Sequence, residues 1–431
     1  MRWRPDRLSR SLQDYNFFSE EVLECPFDFY RLAREEAPVY LLPGSNIYLV
    51  TRHADIRAML KDTETFSSNF AHLLSGAGET EEVRALYEGT VEPADTLLTL
   101  DPPRHRVYRS LVNKVFSARR VQQMHDYIEQ IVDELIDGFI DDGECEFIAA
   151  FASPLPLMVI ADQLGIDREL LPRFKVWSDS LAARLGGMVS PEQAKDIALA
   201  VREFQQYILG VIDARRREPR DDMISDLATA EIDDGRSLSD AELISIVQQF
   251  LVAGNETTTS SLAGGMLSLI RNPQQMCLLR EGPLHMANAV EEILRMETPS
   301  AGLWRAVTRD VEFNGTLIPA GAMVMLRYAA ANRDERVFDD AERFDICRHN
   351  ADDHIAFGQG THFCPGAMLA RKEMIVGLGK LLERLDNIQL AEGKNDLSHW
   401  PNMVLRGLKS LHITFDKRPR RATRTLENEA S

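Results

Sequence analysis

Cys364 sits in a glycine-rich run, Phe357-Gly358-Gln359-Gly360-Thr361-His362-Phe363-Cys364-Pro365-Gly366. Three glycines so close together turn the backbone tightly and let a large group approach it. Pro365 follows the cysteine, and a helix-forming stretch then continues to about residue 385. Proline is favoured at the first helical position, which places Cys364 at the cap of a helix N-terminus. The helix dipole and free backbone N–H groups there favour an anion, so the thiol is expected to ionise readily. A thiolate held in such a loop is either a metal ligand or a nucleophile.

Three more stretches carry chemistry. Ala253-Gly254-Asn255-Glu256-Thr257-Thr258 lies inside a long apolar helical pattern. Glycine there costs about 1 kcal/mol relative to alanine. A threonine hydroxyl can bond a carbonyl one turn back, so a local kink is expected, with room for a ligand or water. An acid beside a hydroxyl also makes a proton relay; the alternative is a packing irregularity. Glu292 and Arg295 stand three apart on one helix face, as an ion pair would. Asp101-Pro102-Pro103-Arg104-His105-Arg106-Val107-Tyr108-Arg109 sets His105 and Arg109 four apart, as an anion clamp or a solvated basic face.

Long helices must position these groups. Ser239 with Glu242 forms a capping-box pattern that opens a helix ending at Asn272-Pro273. Its length is roughly 48 Å, enough to cross the protein as its central element. Other helices are predicted over residues 105–116, 121–139 and 191–217. Hairpins are predicted at residues 37–51 and around Asn314-Gly315, with a further strand over 323–326. Residues 67–97 read as a mobile loop with short helical pieces, and 332–350 as irregular. The expectation is one mainly α domain with small β-sheets over residues 1–431, fraying at 1–15 and 417–431.

Composition narrows the class further. Of 431 residues, 44% are hydrophobic, which suits a sizeable core, and the net charge of −18 argues against nucleic acid as a partner. No apolar run reaches the ~20 residues of a membrane span, and the N-terminus has no apolar signal core. Five scattered cysteines without a CxxC pair fit a reducing cytoplasm. A metal bound by Cys364 would therefore need a cofactor to supply its other ligands.

Taken together and in this order, the four stretches closely resemble the cytochrome P-450 family, in its soluble bacterial branch. Phe357, Gly358, Gly360, His362, Cys364 and Gly366 match every fixed position of its haem-binding signature F-G-x-G-x-H-x-C-x-G. Ala253, Gly254, Glu256, Thr257 and Thr258 match its oxygen-activation motif, and Glu292 with Arg295 its E-x-x-R motif. The segment with Asn332-Arg333-Asp334, Phe344-Asp345 and Arg348 also looks like the family's, as does Asp101-Pro102-Pro103 with His105 and Arg109.

The resemblance implies the P-450 fold, with its long central helix over haem b (iron protoporphyrin IX). It implies Cys364 as the proximal thiolate on iron, whose electron donation favours O–O cleavage. Phe357 would pack near the thiolate, with Gly366 beside it. His105, Arg109, Arg305 and His362 would pair with the haem propionates, and Ala253 and Gly254 would border the haem. Thr257 would hydrogen-bond dioxygen or a nearby water, and Glu256 would deliver protons. Glu292, Arg295 and Arg343 would form a buried structural network. Leu98, Val252, Ala253, Ala301, Leu303, Met403 and Val404 would line an apolar substrate pocket for a terpenoid, steroid, fatty acyl or polyketide-like molecule. Electrons would come from NAD(P)H through a separate reductase and a ferredoxin, docking on Arg104, Arg106, Lys114, Arg119, Arg120 and Lys372. The function implied is a haem-thiolate monooxygenase. The alternatives are a peroxide-driven peroxygenase and a non-catalytic haem-thiolate sensor.

Overall fold

The capping box at Ser239 is present: Glu242 N–H donates to the Ser239 hydroxyl at 3.3 Å, and Ser239 N–H donates to the Glu242 carboxylate at 2.7 Å. It starts a helix of 32 residues, Asp240–Arg271, that runs unbroken to Asn272. Apolar residues are buried nearly all round its C-terminal half, as in an element surrounded by others. The computed structural model describes residues 11–70, 80–186, 189–232 and 235–418.

The main helices in chain order are α1 (Phe27–Glu36), α2 (His53–Lys61), α3 (Arg104–Val115), α4 (His125–Asp137), α5 (Pro154–Gln163) and α6 (Leu171–Gly186). They continue with α7 (Pro191–Arg217), the central α8 (Asp240–Arg271), α9 (Met286–Glu297) and α10 (Ala367–Arg384). Short helical turns lie between them. The strands are β1 (Val39–Leu41), β2 (Ile47–Val50), β3 (Phe66–Ser67), β4 (Glu144–Glu146), β5 (Leu303–Val307), β6 (Val311–Phe313), β7 (Thr316–Ile318), β8 (Met323–Leu326), β9 (Leu385–Leu390) and β10 (His412–Lys417). They form sheets ordered β1-β2-β8-β5-β3, β4-β10-β9 and β6-β7. The fold is mainly α with small sheets, as expected. No helix of the described residues is long and apolar enough to cross a membrane.

Helices α4, α5, α9 and α10 pack around the C-terminal half of α8 in one apolar cluster. Helices α3, α6 and α7 cover its N-terminal half in a second. The large sheet and α1 pack together in a third cluster. The predicted hairpins form, Val39 opposite Val50 and Val311 opposite Ile318. Asn314 and Gly315 both take positive φ, 49° and 74°, which the tight turn between β6 and β7 requires.

Four expectations change. The helix over 121–139 is interrupted at Met124, which ends one helix, Ala118–Gln123, and precedes the next. Residues 11–15 do not fray, because Leu12 is buried among Phe17, Phe29 and Tyr30; residues 1–10 lie outside the described residues. At the other end Lys417 still pairs with Leu385, whereas 419–431 lie outside the described residues. The stretch 67–97 starts in β3 and contains the helix Glu81–Leu86; its residues 71–79 lie outside the described residues.

Candidate functional site

Gly358 and Gly360 take φ of 69° and 70°, a left-handed conformation open to glycine, and they fold the run back so that Cys364 N–H donates to the Phe357 carbonyl at 3.0 Å. A side chain at Gly360 would also meet the Leu60 carbonyl on α2 at 3.0 Å. Helix α10 starts at Ala367 with Gly366 as its cap, so Cys364 lies two residues before the cap. That corrects the sequence placement: Pro365 and Gly366 form a turn before the helix begins. Burial pushes the Cys364 thiol up. The backbone N–H groups of Gly366 and Ala367, with Arg109 and Arg371, pull the other way without overcoming it. The expectation of a readily ionised thiol is therefore corrected: half-buried Cys364 is shifted toward its neutral form, and a cation bonded to sulfur would favour ionisation. Among the described residues no imidazole or carboxylate is hydrogen-bonded to Cys364, so a nucleophile would lack its base.

On the α3 and β5 side of the cysteine loop, Arg109 and Arg305 make no ion pair among the described residues, and Asp101 is near enough to act on His105. Arg305, on β5, is buried, and its guanidinium donates to the Trp304 carbonyl at 2.7 Å. Arg109, on α3, donates to Asn113 at 2.8 Å and to the Phe363 carbonyl. His105 is buried, and its Nδ1 has no hydrogen-bond partner. The rings of His105 and His362 lie 4.3 Å apart. Burial, then Arg305 and His105, push the His362 imidazole down to about 3. An orphaned buried nitrogen beside guanidinium groups that make no ion pair among the described residues suits a dianionic ligand, so these residues fit haem propionates. His362 differs from the other three. Its Nδ1 lies 3.1 Å from the Leu97 carbonyl and its Nε2 3.0 Å from the Ser68 hydroxyl. With Nδ1 donating, it has no N–H left for a propionate; Ser68 was not anticipated from sequence.

On α8 the Thr257 hydroxyl donates to the Ala253 carbonyl at 2.8 Å, the i−4 bond expected of it. The helix is nevertheless continuous, and a side chain at Gly254 would meet Ile160 of α5 at 3.5 Å. Gly254 is half-buried, and that spacing is ordinary van der Waals contact, so helix packing alone does not require glycine here. Ala253, by contrast, is exposed, with Val252, Glu256 and Thr257 half-buried along the same stretch. Glu256 meets α6, where Lys175 Nζ lies 3.8 Å from its carboxylate and Ser178 Oγ 3.5 Å. Asn255 donates to Glu256 at 2.9 Å and to Ser178 at 3.0 Å. Burial pushes the Glu256 carboxyl up to about 7, against the pull of Lys175. Its partners on α6 had no sequence signal, because they are about 80 residues away.

Glu292 is fully buried on α9 and accepts from Arg295 at 2.7 and 2.8 Å. The third member expected from sequence was Arg343. Instead Arg348 donates to both carboxylate oxygens, at 3.2 and 3.1 Å, while the Arg343 side chain is 59% exposed and faces Asp345. Arg343 contributes only its carbonyl, to Arg295 and Arg348. The physical reason is chain direction: a turn closed by Arg343 N–H on the Asp340 carbonyl leaves that side chain outward, and a second, Arg348 N–H on the Asp345 carbonyl, returns Arg348 to the core.

Leu98, Ala301, Leu303, Met403 and Val404 share one apolar cluster between the large sheet and α6. Ala301 N–H donates to the Val404 carbonyl at 2.7 Å, and Leu98 N–H to Gln249 of α8 at 3.2 Å. Val252 packs instead against the α3–α6–α7 cluster. Trp304 is buried beside them. Of the basic residues, Arg106, Lys114 and Arg119 are exposed, whereas Arg120 is paired with Asp226 and Asp221.

The chain is similar to known proteins along most of its length. The family profile described as Cytochrome P-450 matches residues 181–282 and 284–415. The chain is 34% identical over 409 residues to the vitamin D(3) 25-hydroxylase of Pseudonocardia autotrophica, covering 94% of this chain and 98% of that protein. It is 36% identical over 402 residues to the 6-deoxyerythronolide B hydroxylase of Saccharopolyspora erythraea, covering 90% and 96%. The structure of the Bacillus subtilis bacillaene polyketide synthase cytochrome P-450 PksS superposes with TM-score 0.82 at 33% identity, over 94% of this chain and 100% of that one.

Proposed function

Because this chain belongs to the cytochrome P-450 family, whose members are haem-thiolate monooxygenases, we propose that it inserts one oxygen atom from O₂ into an apolar polycyclic or macrocyclic molecule, using haem b held by Cys364. The observation that supports the cofactor assignment is the set His105, Arg109 and Arg305, which makes no ion pair among the described residues and lies beside the half-buried Cys364.

When bound, haem supplies dioxygen activation at iron, with the thiolate increasing its electron density. The remaining tasks fall to side chains. Gly366 and Ala367 N–H groups direct themselves at the sulfur and moderate its charge. Glu256 takes a proton at its carboxyl from the α6 side and passes it toward the Thr257 hydroxyl. The apolar cluster of Leu98, Ala301, Leu303, Met403 and Val404 orients the substrate and excludes water. The names of the relatives, a vitamin D(3) hydroxylase and a 6-deoxyerythronolide B hydroxylase, support a secosteroid or polyketide substrate.

Glu256 should give a readable pH dependence. With its carboxyl near 7, the group holds a transferable proton below that pH and loses it above. Coupling of NAD(P)H consumption to product is therefore expected to fall as pH rises through about 7. Glu256→Gln should remove that inflection and lower product formation about 100-fold, releasing hydrogen peroxide instead. An unchanged pH profile in the variant would refute the relay.

A ferredoxin is the proposed electron donor, because exposed Arg106, Lys114 and Arg119 lie on a chain of net charge −18. Arg120 is not part of that surface, being already paired with acids. Reversing Arg106 and Arg119 to Glu should slow ferredoxin-supported turnover at low salt about tenfold, and less at high salt. Equal rates for the two proteins would exclude docking there. The overall reading is tested by two measurements. A reduced, CO-bound spectrum must show the thiolate-haem band, and a ferredoxin system must consume NAD(P)H in a substrate-dependent way. The band without consumption would leave a sensor, and oxidation with hydrogen peroxide alone would indicate a peroxygenase.

A further inference from the structure

Phe357, the aromatic residue that opens the cysteine run, is held from two sides by groups that the chemistry above does not use. The Arg371 guanidinium lies over its ring, 4.5 Å from the centre. The His354 ring centre is 5.8 Å away on a tilted face. Arg371 is on α10, and its Nε and Nη2 donate to the two oxygens of Glu291, on α9, at 2.6 and 2.7 Å. His354 Nε2 lies 3.1 Å from the same carboxylate. Ala356 N–H donates to His354 Nδ1 at 3.1 Å, so Nδ1 accepts and Nε2 carries the proton toward Glu291. One carboxylate therefore anchors both groups that grip the phenyl ring. Burial opposes its charge, but Arg371 and His354 hold the Glu291 carboxyl down at about 2, so the anchor is ionised at any working pH.

This brace is mechanically tied to the sulfur. The Phe357 carbonyl accepts the Cys364 N–H, so displacement of the ring moves the backbone that presents the cysteine. The Arg371 charge also lies close to the cysteine loop, because its guanidinium stacks on Phe357. A planar, two-pronged guanidinium is well suited to stack on a ring while staying fixed by an acid. Planarity fixes the orientation, and the acid fixes the distance.

We propose that Arg371 is a positioning residue of this chain: anchored by Glu291 and His354, it fixes Phe357 beside the thiolate and, by its charge, sets the reduction potential of the bound haem. The proposal rests on Cys364 being the haem ligand. A positive charge near the sulfur stabilises the state with one more electron, supplied by the redox partner, and so raises the potential. The Glu291 carboxylate partly offsets that charge.

The two partners should therefore shift the potential in opposite directions when neutralised. In the holoenzyme, Arg371→Gln is expected to disfavour reduction about tenfold, the equivalent of ~59 mV for one electron. Glu291→Gln leaves the guanidinium charge uncompensated and should shift the potential upward. Both should shorten the lifetime of the thiolate-type band of the reduced CO complex several-fold, because each loosens Phe357. Arg371→Lys keeps the charge but loses the planar stack, so it should shorten that lifetime while leaving the potential within about threefold of the wild-type equilibrium. Shifts of the same sign in Arg371→Gln and Glu291→Gln, or no shift in either, would overturn the proposal. Should Arg371→Gln fail to bind haem, Glu291→Gln against Arg371→Lys decides: an upward shift in the first with none in the second supports the brace, and any other pair of results overturns it. Absence of the thiolate-type band in the wild-type holoenzyme would instead refute Cys364 as ligand.

Discussion

Cys364→Ser is expected to remove the thiolate-type band of the reduced CO complex and abolish oxidation of any substrate, while leaving a folded chain. Serine is close to cysteine in size, and in the free protein the thiol is neutral, so the substitution removes little packing and no charge. With iron present the difference becomes large. A sulfur bonded to a metal cation ionises, whereas a serine hydroxyl does not do so near neutrality and donates far less electron density. The loss should exceed the roughly 10–100-fold typical of removing partners outside the ligand shell. Absorbance of the reduced CO complex and product analysis measure both effects. A serine variant that retained the wild-type band would show that another group holds the iron.

The second large effect is expected at Glu292, and it concerns folding. Its carboxylate is held between two buried guanidinium groups, Arg295 and Arg348, and it also accepts from Asp345 N–H at 2.9 Å. Glu292→Gln keeps the shape but replaces an acceptor oxygen with an N–H₂ facing cations. Removing one partner from a buried ionic network costs about 3–5 kcal/mol, and here two cations lose it at once. For a chain whose net stability is of order 5–15 kcal/mol, that loss should leave little folded protein able to bind haem. Urea denaturation and haem content would measure it. Arg348→Ala should behave similarly, whereas Arg343→Ala should lie within about 0.5 kcal/mol of wild type, because that side chain points to solvent. Equal losses for Arg343→Ala and Arg348→Ala would contradict this arrangement.

The arginine pair shows where sequence reading stops. Glu292 and Arg295 are one helical turn apart, so their meeting follows from helix geometry. The third partner comes from an irregular segment in which Arg343 and Arg348 are both available. No periodicity decides which one turns inward. The same division holds at Glu256: its place on a long buried helix is legible from the capping box and the apolar run. Its contacts with Lys175, Ser178 and Asp179 depend on α6 crossing α8, which no local pattern specifies. Likewise, a cysteine before proline suggested a helix cap, but the turn at Pro365-Gly366 delays the helix by two residues.

The order of the motifs, their spacing and the lengths of the helices were written in the chain, because each depends on covalent geometry and on neighbours a few residues away. They determined the mainly α architecture, the family and the cysteine that carries the chemistry. Tertiary structure alone decided which charges lose water and which groups they then face. It leaves the buried His105 Nδ1 without a hydrogen-bond partner, draws Arg120 away to Asp226, and pushes the Cys364 thiol up rather than down. The reason is that desolvation and charge pairing are set by distances in space between segments hundreds of residues apart, and a linear pattern carries no measure of those distances.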